Sequence, residues 1–112
     1  MKKKLIVSID RAIMKLPTYK GTVYRSIDSR GIQNIDNFWE KHKEKEVVLY
    51  DAFLSSSKNV YDSSMNIQYS IISKNGHDMS TINENEQEVL FSRSSAFVIT
   101  RVEENHIWME EI

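Results

Sequence analysis

Three short segments carry side chains that could do chemistry together. Glu86-Gln87-Glu88 puts two carboxylates two residues apart. At the start of a strand such residues project from the same face, because side chains alternate with a period of two. Two close carboxylates do not both ionise freely, so one can stabilise a positive charge while the other handles a proton. That division suits a reaction passing through an oxocarbenium-like sugar cation. Taken alone, however, Glu-x-Glu is also what a solvated strand edge carries. Ser55-Ser56-Ser57 follows Phe53, and its hydroxyls can either orient a carboxylate or cap a turn. Arg25, in Val23-Tyr24-Arg25-Ser26, can clamp a phosphate through two parallel N–H groups or simply pair with a surface acid.

Other chemistries find less support. There is no cysteine, which excludes a thiolate metal site, a disulfide framework and a cysteine nucleophile. His42, His77 and His106 are scattered without metal-ligand spacing, so no metal is expected, and the three glycines form no phosphate loop. Fifteen basic residues against sixteen acidic ones give none of the positive field of most nucleic-acid binders. The basic start Met1-Lys2-Lys3-Lys4 is followed by an apolar run that Asp10 and Arg11 interrupt, so it reads as mature protein with a natural start and no signal peptide. No stretch has the roughly 18 apolar residues of a membrane span, which predicts a soluble chain with no membrane partner.

The elements that must position these groups follow from periodicity. Leu5, Ile6, Ile9, Ala12, Ile13 and Leu16 recur at helical spacing, with Ser8 as a cap and Pro17 as a stop. Thr22–Ile27 reads as a strand carrying Arg25, and a second helix starts near Ile35 with Phe38, Trp39 and His42 on one face. Short strands are expected at Val47–Tyr50 and Ala52–Ser57. A longer one is expected over Asn66–Ser73, closed by a turn at Lys74-Asn75-Gly76-His77. A polar loop, Asp78–Asn85, precedes strands at Glu88–Ser92, Ala96–Val102 and His106–Glu110, with Glu103-Glu104-Asn105 turning the last hairpin. Trp39 and Trp108 are expected to anchor the core. The 112 residues predict one α+β domain spanning 1–112: two small, mainly antiparallel sheets packed face to face, with one or two flanking helices.

The order of the three segments is more specific than any one of them. An aromatic-Arg strand, then Phe-x-Ser-Ser-Ser, then a polar loop into Glu-x-Glu-Val-Leu-Phe resembles the arginine-targeting branch of the ADP-ribosyltransferase exoenzyme family. The likeness runs from about Ile9 to the C-terminus. Lys15-Leu16-Pro17, Gly21-Thr22-Val23-Tyr24-Arg25 and Phe97-Val98-Ile99-Thr100-Arg101-Val102 look like the family's flanking scaffold. Within the family the chain is similar to the small transferase-like domains attached to Mu-like phage head-morphogenesis proteins.

The resemblance implies NAD as substrate and ADP-ribose transfer to a target protein, on arginine. It implies that Arg25 contacts an NAD phosphate and that the Ser26 backbone holds the nicotinamide amide. Ser55 would orient Glu88, Glu88 would accept the ribose 2′-hydroxyl and stabilise the cation, and Glu86 would deprotonate the acceptor guanidinium. Tyr24, Ser57 and Tyr61 complete the implied NAD-binding set, with Tyr61 or Tyr69 as the ring that stacks on nicotinamide. Ser56 stands where the family usually has threonine, and Asn83 near the place of a loop aromatic. The implied setting is cytoplasmic, in a bacterial or phage-infected cell. A non-catalytic module that keeps the fold and acts by binding, as a phage structural or inhibitor protein, is the other function class.

Overall fold

The structure, a computed structural model, describes residues 12–50, 53–59, 65–81 and 87–112. Most of the first expected helix lies outside these; its end, residues 12–14, is helical with Ile13 buried, and Pro17 follows. The strands are β1 (Thr18–Ile27), β2 (Val47–Leu49), β3 (Leu54–Ser57), β4 (Ile67–Asp78), β5 (Glu88–Phe91), β6 (Ala96–Glu103) and β7 (His106–Glu111). Helix α1 (Ile35–Lys41) lies between β1 and β2, and 3-10 turns occupy Ser29–Gly31 and Met79–Thr81. The result is the expected α+β fold. None of the described helices is long and apolar enough to cross a membrane.

Two groups of strands share β4. In one, β1, β3, β5 and β4 pair in that order and β1 also pairs along β4; in the other, β4, β7, β6 and β2 lie side by side. Only β4 and β7 run parallel; the other pairs are antiparallel. Alternation along the strands turns Val23, Ile71, Val89, Phe91, Phe97 and Ile99 inward, each fully buried. Phe91 and Phe97 meet edge to face with ring centroids 5.0 Å apart, joining β5 of one group to β6 of the other. Burial of each such side chain contributes about 1.5–3 kcal/mol. The side chain of Asn34 caps α1 by accepting from the Asn37 N–H at 3.0 Å, and Phe38 and Trp39 rest against the core.

The structure corrects two expectations. Lys74-Asn75-Gly76-His77 does not turn the chain; β4 continues through it to Asp78. Pairing shifts there from Gly21↔Ser73 to Tyr19↔Gly76, so Asn-Gly makes a bulge instead of a hairpin. The buried carboxylate of Glu111 accepts the Lys74 and Asn75 N–H groups at 2.7 and 2.6 Å, and Ser73 Oγ accepts the Gly76 N–H at 3.2 Å. A Cβ on residue 76 would stand 2.6 Å from Val89 Cγ1 and 2.9 Å from Phe91 Cε1, so glycine lets β4 cross β5 this closely. Trp108, expected in the core, faces outward between the buried Ile107 and Met109. It stacks on His106 at 3.8 Å, with the Arg101 guanidinium 4.7 Å from its ring centre.

Candidate active site

β1, β3 and β5 bring the sequence motifs into one place. Tyr24 pairs with Ser57 and Ser57 with Glu88, so the three residues form a single row across three strands and share a face. Ser55 lies on that face two residues along β3, diagonally opposite Glu88, and its Oγ donates a hydrogen bond to the Glu88 carboxylate. Arg25 Nη1 donates to the Ser55 carbonyl oxygen at 2.8 Å, which ties the guanidinium to the same strand. These residues, with Ser26, line a cleft of about 420 Å³.

The triplet divides its work by alternation. Ser55 and Ser57 face the cleft side, whereas Ser56 is buried and its Oγ donates to the Val89 carbonyl at 2.7 Å, fastening β3 to β5. Ser57 Oγ accepts from the Asn59 N–H at 3.1 Å, as a turn-capping hydroxyl does. Ser26 Oγ donates to Gln68 Oε1 at 2.7 Å, and Gln68 is also its pairing partner on β4. Among the described residues β1 pairs with β3 only at Tyr24, so the backbone edge of residues 25–27 is not covered by β3.

Behind Arg25 lies an aromatic wall. Arg25 also borders a second cavity, of about 390 Å³, with Phe38, His42, Tyr50 and Tyr69 among its walls. Phe38 stacks on His42 at 4.2 Å, and His42 meets Tyr69 edge to face at 6.3 Å. Tyr69 is 3% exposed, with Tyr50 beside it in the wall of the same cavity. Burial, with Tyr50 beside it, pushes the Tyr69 phenol well above its ordinary range, and burial likewise raises Tyr50. Tyr69 therefore belongs to the core behind Arg25 and borders this second cavity; it is not among the residues that line the cleft. Burial lowers the His42 imidazole below its usual value, against the pull of the Phe38 carbonyl, which lies 2.6 Å from Nδ1.

Glu86, Tyr61 and Asn83 lie outside the described residues. The cleft also contains Asn59 and Gln87, which the sequence reading passed over. Gln87 sits inside Glu-x-Glu, where attention falls on the acids, and Asn59 follows the hydroxyl triplet at no distinctive spacing.

A seven-stranded, mostly antiparallel sheet system with an arginine, a hydroxyl and a glutamate converging from β1, β3 and β5 has the fold of the ADP-ribosyltransferase superfamily. The structure is similar to the type III effector XopAI from Xanthomonas axonopodis pv. citri, with a TM-score of 0.75 and 30% identity, over 90% of this chain and 46% of that one. It is also similar to the ADP-ribosyltransferase Vis, a toxin from Vibrio splendidus solved in complex with agmatine, with a TM-score of 0.73 and 26% identity over 98% and 57% of the two chains. The ADP-ribosyltransferase HopU1 of Pseudomonas syringae pv. tomato shares the fold at a TM-score of 0.69 and 24% identity, over 91% and 50%. The chain thus spans about half the length of these solved structures. No protein-family model and no curated protein sequence matches it significantly.

Proposed function

We propose that the protein is a mono-ADP-ribosyltransferase that cleaves NAD at the nicotinamide–ribose bond and transfers ADP-ribose to an arginine of a target protein. The observation that carries this reading is the chain of contacts Arg25–Ser55–Glu88 along one cleft. The residues fit the substrate. One N–H of Arg25 is committed to the Ser55 carbonyl, and the rest of its planar fork suits a diphosphate. The β1 edge at Ser26 supplies backbone groups for the nicotinamide amide, and Tyr24, Ser57 and Tyr61 complete the binding set.

The chemistry follows from these placements. Ser55 holds the Glu88 carboxylate by one oxygen, leaving the other to accept the ribose 2′-hydroxyl. As the bond between the ribose carbon and the nicotinamide nitrogen breaks, its electron pair leaves with neutral nicotinamide. Glu88 then faces the positive charge left on the sugar, where a preorganised carboxylate acts most strongly. Glu86 takes a proton from the acceptor guanidinium, whose nitrogen forms the new bond to the ribose carbon. A glutamate at that position and the complex of Vis with agmatine, a guanidinium compound, both support arginine as acceptor. The setting we propose is the cytoplasm of a bacterial or phage-infected cell, with the protein acting as an effector on a host protein.

The test is incubation with labelled NAD and a bacterial lysate, alongside Glu88→Gln and Glu86→Gln. A labelled protein band that Glu88→Gln abolishes supports the transferase. Glu86→Gln should keep most NAD cleavage and lose transfer. If wild type and Glu88→Gln are alike and NAD leaves the melting temperature unchanged, the protein acts by binding alone.

A further inference from the structure

The outer face of the β4–β7–β6–β2 group carries an apolar patch where a solvated sheet face is ordinarily polar. Alternation turns Phe97, Ile99, Ile107 and Met109 inward, so their chain neighbours point outward. On that outside, strand register sets Val47 of β2 beside Val98 of β6, Val98 beside Glu110 of β7, and Glu110 beside Ile72 of β4. In the next row Leu49 lies beside Ala96, and the Ile112 N–H donates to the Ala96 carbonyl at 3.0 Å, which carries the row on to Ile112. Leu49, Ile112, Val47 and Ile72 are 68%, 63%, 53% and 45% exposed. Among the described residues only two other large apolar side chains are exposed, Met14 and Ile35, so the exposed apolar surface is concentrated on this one face.

The charges around the patch decide what can cover it. Lys74 pairs with Glu110 at 3.4 Å, and Arg101 pairs with Glu103. Two cations against two acids leave the face without a net field, so a polyanion or an anionic lipid surface gains nothing there. Two copies of the same face, by contrast, meet without net repulsion, and each offers the other both signs, as an isologous interface requires. Trp108 and Arg101, of the residue types that most often anchor interfaces, sit together beside the patch. Four strands about 4.8 Å apart and about 25 Å long present roughly 500 Å² per copy, or about 1,000 Å² for a pair. That is the lower bound for a specific interface, which suits a weak dimer.

We infer that two copies of the protein form a twofold-symmetric dimer through this face, packing their β4–β7–β6–β2 sheets against each other around Val47, Leu49, Ile72 and Ile112. Sheets stacked in this way lie about 10 Å apart with their apolar side chains interdigitated. The cleft residues belong to β1, β3, β5 and their flanks, and none lies on β7, β6 or β2, so each copy keeps its cleft open. The inference does not depend on the transferase reading.

Sedimentation equilibrium from about 1 to 300 μM tests it, the range in which so small an interface associates. Wild type is compared with Leu49→Lys and Ile112→Lys, which place a charge on two different strands of the patch, and with Met14→Lys. Met14 is 67% exposed but lies outside these strands, so its variant is the control. The wild-type mass should rise with concentration and level off at twice that of the monomer, and Met14→Lys should follow it. Leu49→Lys and Ile112→Lys should melt like the dilute wild type and associate at least about tenfold more weakly, since a dimer would bury an unpaired ammonium. A wild type that stays monomeric over the whole range overturns the inference. So does a mass that climbs past two copies, which reports open-ended association. Wild-type association in folded Leu49→Lys and Ile112→Lys puts the contact elsewhere and overturns it as well.

Discussion

Ser55 and Glu88 stand 33 residues apart in the chain, yet the Ser55 hydroxyl donates directly to the Glu88 carboxylate across the β3–β5 pair. The register of two short strands therefore sets the position of the candidate catalytic acid. A shift of one residue would turn Ser55 to the opposite face, where Ser56 now points into the core.

Replacing Ser55 by alanine removes that hydrogen bond, and Ser55 Oγ makes no other hydrogen bond among the described residues. The expected result is a fall in kcat for nicotinamide release of up to about a hundredfold, because the lost group orients the carboxylate. Steady-state kinetics with fluorescent or labelled NAD checks this.

Arg25→Lys keeps the charge but not the planar fork, and a lysine cannot hold the Ser55 carbonyl and bind two phosphate oxygens in the same geometry. KM for NAD should rise about tenfold or more, the worth of one hydrogen bond to a charged group. Titration calorimetry with NAD, or the KM itself, provides the measurement. Unchanged affinity would remove Arg25 from the phosphate site.

Much of the fold could be read in the sequence because local patterns decide it. The β-favouring runs at Thr22–Ile27 and Ala96–Val102, the helical pattern from about Ile35 and the Glu103-Glu104-Asn105 turn each lie within one element or its flanks, and the structure shows strands, helix and hairpin there. The course of β4 was not readable. Asn75-Gly76 is a strong local turn signal, but Glu111 satisfies the backbone N–H groups of the bulge from 36 residues away, and no local rule reports such a partner. Trp108 failed similarly. Its size suggests core, while its place between Ile107 and Met109 on an alternating strand puts it outside. The order of Arg25, Ser55 and Glu88 was visible, but the row Tyr24–Ser57–Glu88 needed the strand pairing.

Gly76→Ala tests the bulge. The added methyl would press into Val89 and Phe91, both fully buried, so neither can move aside easily. Overpacking of this kind costs about 1–3 kcal/mol. A urea denaturation midpoint lowered to match, with m unchanged, is the expected observation.

Burial lowers the folded-state pKa of His42, so the unfolded chain binds more protons there below the ordinary value of 6.5. The stability linked to this group is fully present above pH 6.5 and is lost as pH falls from there through the folded pKa. His42→Gln should flatten this part of the profile. Urea denaturation of both proteins at pH 7.5 and 5.5 makes the comparison, with the larger loss on acidification expected in the wild type.

The central claim is that the Glu88 carboxylate, held by Ser55, promotes cleavage of NAD. Nicotinamide release by purified wild type and Glu88→Gln, measured at saturating NAD, addresses it most directly. Glutamine keeps the size and removes the negative charge, so the account predicts that both proteins melt at about the same temperature and that the variant's release rate is lower by roughly a hundredfold or more. Equal release by wild type and a correctly folded Glu88→Gln would contradict it.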